Sequence, residues 1–180
     1  AMFNQVCPDG HGTIIILINL KEQQYKHPGH LLNRLVKDIG IFYYARLGKK
    51  KNIYVSNAKK TVKVQPNDPL IPLAGAVTTQ YRKTLDYKGS KITLRFVELD
   101  TKLLAHSQKG YADQGITITR EGRVIKRATQ LGSLWTKNPR YNSGRIEISF
   151  SETLDDDFGI GALKNSAKLT QSLRDVLQSE

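Results

Sequence analysis

The chain has 180 residues, 39% hydrophobic and 24% charged, with a formal net charge of +12 at pH 7. That balance excludes a disordered polypeptide and fits one domain with a proper core, or two very small ones. The longest apolar run, Ile14 to Ile18, is strand-sized and far short of the roughly 20 residues that span a bilayer, so no membrane partner is expected.

In chain order, Ala1-Met2 reads as an added start, and the residues after it lack the basic opening and long apolar stretch of a secretory leader. Cys7 is the single cysteine and has no internal disulfide partner, so a reducing cytoplasm is the expected compartment. Asp9-Gly10-His11-Gly12 lacks the lysine of a phosphate-binding loop and precedes a strand, so it reads as a turn. Thr13 to Leu20 (TIIILINL) is a continuous β-branched run, the pattern of a strand buried on both faces. Pro28 suits a first helical position. Leu31, Leu32, Leu35, Val36, Ile39, Phe42 and Tyr43 come after it at helical spacing, which predicts a helix of roughly five turns. Gly48 closes it, and Lys49-Lys50-Lys51 suits the negative end of its dipole. His27 and His30 form an HxxH pair, but zinc takes three or four ligands and nothing forces these two together, so no metal site is expected.

Asn52 to Val55 and Thr61 to Val64 form a short hairpin, ended by Pro66 and Pro69. Ile71 to Leu85 carries no clear period. Ile92, Leu94 and Phe96 alternate with Lys91, Thr93 and Arg95, which predicts a half-buried strand. A short helix is expected over Leu103 to Gly110. Ile116 and Ile118 lead into the turn signal Glu121-Gly122, and Val124-Ile125 returns as the second arm. Gly132 to Asn142 combines Gly, Pro and Asn as a long loop. Ile146, Ile148 and Phe150 alternate with Glu147 and Ser149. Ser151 to Asp157 reads as an acidic turn or helix, whose three consecutive aspartates point in different directions and so do not converge on one ion. Leu169, Leu173, Val176 and Leu177 mark a terminal helix capped by Asn165 or Ser166. This order predicts an α+β fold, a mixed sheet with helices packed on one side.

The charge is unevenly spread. Lys21 to Lys60 holds ten basic and two acidic residues, Thr101 to Arg140 eight and two, and Tyr141 to Glu180 four and seven. A basic body attracts phosphates, DNA, RNA or acidic surfaces, and it equally serves as a solvated face. Tyr43, Tyr44, Arg46, Lys49, Lys50, Lys51 and Tyr54 interleave aromatics with cations, a pattern that binds single strands by stacking and charge. The plainer reading turns those aromatics into the core and leaves a solvated basic turn. Lys164, in GALKNSAKL, is free to reach outward, as most loop lysines are. There is no GxSxG elbow and no acid–base pair to mark an enzyme, although catalytic residues can meet in three dimensions alone.

Several segments, taken in order, resemble the gyrase, heat-shock chaperone, histidine kinase and mismatch-repair (GHKL) ATPase superfamily. Gly12-Thr13 with IIILINL is similar to the element that ends its ATPase domain. NIYVSNAKKTVKVQPNDPL and GITITREGRVI resemble the start and a hairpin of the next domain in that superfamily. RYNSGRIEISFSETLDDDFGIGALKNSAKLTQSLRDVL looks like the closing segment of the chaperone-like and MORC-like branch, with one extra aspartate in its Leu-Asp-x-x-Phe-Gly turn.

The resemblance implies that residues 1–20 are the last strand of, or a linker from, an absent ATPase domain. Residues 21–180 would then be a transducer-like domain of the ribosomal-protein-S-five-like type, with a left-handed βαβ unit. It implies ATP-driven closure of a homodimer, with Lys164 crossing to the γ-phosphate held by the upstream domain of the same chain and Lys168 as its substitute. The superfamily's acidic-plus-Asn helix, Asp-x-Gly-x-Gly motif and glycine-rich lid do not occur here. No cofactor is therefore expected in this piece, while ATP and Mg would belong to the parent protein. The alternative is a stand-alone nucleic-acid-binding module using Arg46, Lys49, Lys50 and Lys51.

Overall fold

The computed structural model describes residues 10, 15–16, 27–48, 51–107, 113–131, 134–161 and 167–179. Helix α1, Pro28–Phe42, starts as expected with proline in its first turn and His27 extended before it. It runs for 15 residues, about four turns rather than five, and Tyr43 caps it by donating its backbone N–H to the Ile39 carbonyl. Gly48 therefore closes a turn beyond the helix and not the helix itself. Gly40, in mid-helix, is there for space: a Cβ would stand 2.7 Å from the Gln65 carbonyl oxygen. The bare backbone lets the 64–67 segment pass, and Asn67 N–H donates to the Gly40 carbonyl.

Strands β1 (Tyr54–Ser56) and β2 (Thr61–Lys63) form a separate antiparallel hairpin. The Asn57 side-chain carbonyl closes its turn by accepting from the N–H groups of Lys59 and Lys60. The main sheet has five strands in the order β3-β4-β7-β5-β6. They are β3 (Val77–Tyr87), β4 (Ser90–Leu99), β5 (Gly115–Arg120), β6 (Arg123–Thr129) and β7 (Gly144–Phe150). All neighbours are antiparallel except β5 and β7, so the fold is α+β with a mixed sheet, as expected. Tight turns at Lys88-Gly89 and Glu121-Gly122, with positive φ at all four residues, match the twist of the strands they join.

The stretch without a clear period holds most of β3, an edge strand exposed from Val77 to Thr84. A strand open on both faces has no reason to alternate, and its pattern sets in only at the buried Leu85 and Tyr87.

The helices divide between the two faces rather than gathering on one. Leu94 of β4 joins a cluster with Leu173 of helix α3, Gln171–Gln178. Val97, on the opposite face of the same strand, joins Leu70, Ala76 and Leu104 of helix α2, Thr101–Ser107. Both layers are needed because β4 and β7 are central and present buried side chains on both faces. The parallel pair β5 and β7 is joined through β6 and a loop, so the left-handed βαβ unit is not found among the described residues.

Of the Thr13–Leu20 run only Ile15 and Ile16 are described. They lie outside any strand and are 79% and 66% exposed, where burial on both faces was expected. β-Branched residues are buried in that way only where neighbouring strands and covering layers supply the contacts, and among the described residues none pairs with these two. Helix α3 begins after Thr170, without a side-chain cap, so Leu169 precedes the helix; the expected caps Asn165 and Ser166 lie outside the described residues. Among the described residues no helix is long and apolar enough to cross a membrane.

Candidate functional site

The segment after β7 forms a compact platform. Ser151 opens a 3-10 turn, Glu152–Leu154, that buries Leu154 and then Phe158, the latter stacked on Phe150 with ring centroids 3.6 Å apart. The three aspartates diverge as expected, but two of them are bound rather than merely solvated. Asp155 takes a two-point bond from Arg120, at 2.6 and 2.8 Å. Asp156 is exposed. Asp157 is buried, and its Oδ1 accepts from Lys88 Nζ at 2.6 Å, Tyr87 Oη at 3.1 Å and Thr170 Oγ1 at 3.3 Å. These donors, the Lys88 ammonium first, hold the Asp157 carboxyl below its ordinary pKa.

On the far side of residues 162–166, which lie outside the described residues, the chain is again bonded to this platform. Lys168 N–H donates to the Phe158 carbonyl at 2.8 Å and Thr170 N–H to the Asp157 carbonyl at 2.9 Å. Gly159, at φ +58°, lies so close that a Cβ would stand 2.5 Å from the Lys168 carbonyl oxygen. The described residues on either side of the lysine segment are thus bonded to one turn, Ile160 through its N–H to the Asp155 carbonyl at 2.8 Å. Lys164 lies outside the described residues; Lys168 is described and exposed.

Of the nucleic-acid candidates, Arg46 and Lys51 are described. Lys49 and Lys50 lie outside the described residues, and Lys51 is exposed. Arg46 donates from Nε to the Glu121 carbonyl and lays its stem against Gly122, tying the turn after α1 to the β5–β6 turn. Tyr43 lies beneath the Arg123 guanidinium, and Tyr44 turns inward to donate its hydroxyl to Glu147. The reading in which these aromatics face the body of the protein therefore holds for Tyr43 and Tyr44. His27 and His30 do meet, edge to face at 5.4 Å, and no group of three or more ligand-type side chains forms among the described residues.

Two features escaped the sequence. The first is a buried polar cluster on the α1 side of the sheet, where Glu147 accepts from Tyr44 and from Thr119 Oγ1 and lies 3.7 Å from Arg95. Arg95, read from alternation as solvent-facing, is 5% exposed and bonded to Asp68 at 2.7 Å and Gln80 at 3.0 Å. Burial works to lower the Arg95 pKa, but Asp68 outweighs it and keeps the guanidinium charged. Burial, then the charge of Glu147, pushes the Tyr44 phenol far above its usual value, so it remains a donor.

The second is a groove of about 330 Å³ on the opposite face. Its floor is Phe96 and Ile146; one wall is Tyr81 and Thr79, the other Trp135, Arg140 and Tyr141. Tyr81 and Phe96, register partners on β3 and β4, stack at 4.5 Å and 9°. Trp135 packs over Gly144 and meets Tyr141 edge to face at 5.9 Å. A smaller apolar hollow beneath the end of α3 shares Phe96 and Ile146. No family model matches this sequence, and no curated protein matches it.

Proposed function

We propose that this chain is the non-catalytic transducer part of a GHKL-type ATPase, which couples ATP binding in an upstream domain to dimer closure or to movement of a partner. The observation that carries the reading is the pinned segment. A lysine that must report a phosphate on another module needs a loop whose ends are held, and here the Phe158 and Asp157 carbonyls accept from Lys168 and Thr170, just after the lysine segment. Lys164 is the γ-phosphate contact in this reading and Lys168 its substitute. Tyr87, Lys88 and Thr170, all bonded to Asp157, transmit the position of the turn to β3 and α3. ATP and Mg act in the parent protein, and the cytoplasm is its compartment.

The test has two arms. Calorimetry of this chain with Mg-ATP gives no binding heat, and micromolar affinity would refute the reading. In the full-length parent, Lys164→Ala lowers turnover by about 100-fold, the scale of losing one preorganised electrostatic contact. Unchanged turnover in both Lys164→Ala and Lys168→Ala would remove the lysine segment from the mechanism.

A further inference from the structure

We infer that the groove between Tyr81 and the Trp135–Tyr141 loop is a binding site for single-stranded nucleic acid, with an unpaired base stacked against the Tyr81 ring. The inference goes beyond the transducer reading and does not depend on it.

Three observations carry it. The first is the surface itself. Tyr81 and Phe96 stand on neighbouring strands beyond the part of this sheet face that α3 covers, and Tyr81 remains 56% exposed after stacking on Phe96. Planar rings on a sheet surface are a platform for splayed bases, because every base has a face to stack and none needs a particular partner edge. A duplex offers no such face, which selects the single strand.

The second is that the opposite wall is built in advance. Gln114 is fully buried, and its amide satisfies four contacts of the loop. It donates to the Asn138 carbonyl and to Asn142 Oδ1, both at 2.8 Å, and accepts from Asn138 N–H at 2.7 Å and Trp135 Nε1 at 3.3 Å. Asn138 Oδ1 in turn accepts from Arg140 N–H at 2.9 Å and caps the turn that carries Arg140 and Tyr141. Side chains fixed in this way lose little entropy on binding. The groove volume of about 330 Å³ lies at the small end of ligand sites, where a single mononucleotide unit fits.

The third is charge. Arg145, although it lines the groove, is buried and bonded to the Asn142 and Gly144 carbonyls, so the charge of the rims comes from other residues. Lys83 lies two residues from Tyr81 on the same face of β3, and Arg140 lines the opposite wall, so cations flank the aromatic floor on both sides. One carboxylate, Glu98, lines the groove with them. This arrangement suits a phosphate backbone running along the rims. It does not suit an apolar segment of another protein, which would strand those charges.

Trp135 is the only tryptophan, so its fluorescence reports this groove directly. The full chain is titrated at low salt with a twelve-residue oligothymidylate, a duplex of equal length, and heparin as a polyanion without bases. The oligothymidylate quenches Trp135 saturably and more strongly than the duplex. Tyr81→Ala and Tyr141→Ala, both at exposed positions, each weaken binding by about 5- to 100-fold. Arg140→Ala lowers the slope of log affinity against log salt by about one contact. The inference is overturned if the oligothymidylate gives no quench at low salt. It is equally overturned if heparin competes without any effect of Tyr81→Ala or Tyr141→Ala, which marks a plain polyanion surface. An apolar dye that fills the groove and is not displaced by the oligothymidylate assigns it to a protein partner instead. None of these readouts involves ATP or Lys164, so failure here leaves the transducer reading standing.

Discussion

Replacing Gly159 with alanine tests whether the lysine segment is truly held at its feet. The backbone there sits at φ +58°, where an L side chain costs about 1–2 kcal/mol. The new Cβ would meet the Lys168 carbonyl oxygen at 2.5 Å, against a comfortable C···O separation of about 3.3 Å, so the returning strand must move by roughly 0.8 Å. Neither partner is a flexible tip; both are backbone. The shift breaks the bonds Lys168 makes to Phe158 and Thr170 to Asp157, each worth about 0.5–1.5 kcal/mol. Together these losses come to roughly 2–5 kcal/mol, and to a Tm lower by roughly 4–20 °C for a chain of this size. Thermal melting followed by circular dichroism and by Trp135 fluorescence measures it. Gly161→Ala is the control, because among the described residues no atom stands within 4 Å of its Cβ and its φ is not positive. That change should alter stability by less than about 1 kcal/mol. Equal melting of the two variants would refute the claim that the turn clamps the segment.

Tyr44→Phe removes one of the donors to buried Glu147 and should cost about 1.5–3 kcal/mol in urea denaturation, the value of a bond to a charged acceptor. Because the folded phenol pKa is raised, its stabilisation is complete below about pH 10 and falls as pH climbs above the unfolded value. Tyr44→Phe should therefore show a shallower alkaline loss than the parent chain, and identical pH profiles would contradict the assignment. Asp157 behaves in the opposite sense: its carboxyl is held below the ordinary value near 4, so its contribution is intact above that pH and disappears as pH falls through the folded value. Acid titration of stability should flatten in Asp157→Asn, while an unchanged acid limb would mean that Lys88, Tyr87 and Thr170 do not act on this carboxylate.

The clamp and the groove occupy different parts of one sheet face, and β3 touches both. At its far end Tyr87 and the turn lysine Lys88 bond to Asp157; near its start Tyr81 forms a groove wall. Lys88 adopts a left-handed backbone at φ 50°, a conformation unfavourable for lysine, and its ion pair with Asp157 helps to hold it there.

Local pattern alone determined the elements whose sequence alternates or carries a clear turn signal. Alternation located β4 and β7, the Glu121-Gly122 turn located the β5–β6 hairpin, Pro28 located the start of α1, and together these imply an α+β chain. Pattern failed wherever a distant segment decides what is buried. Arg95 and Glu147 occupy positions that alternate as solvent-facing, yet Tyr44, 103 residues from Glu147, and Asp68 cover them. β3 carries no period because from Val77 to Thr84 neither of its faces is covered by another layer. The groove unites residues 81, 96, 135 and 141 from strands and a loop far apart in the chain, held by a glutamine that no motif marks. Side-chain period is a property of neighbouring residues, whereas burial and convergence depend on which surfaces the folded chain brings together; only the tertiary structure supplies that.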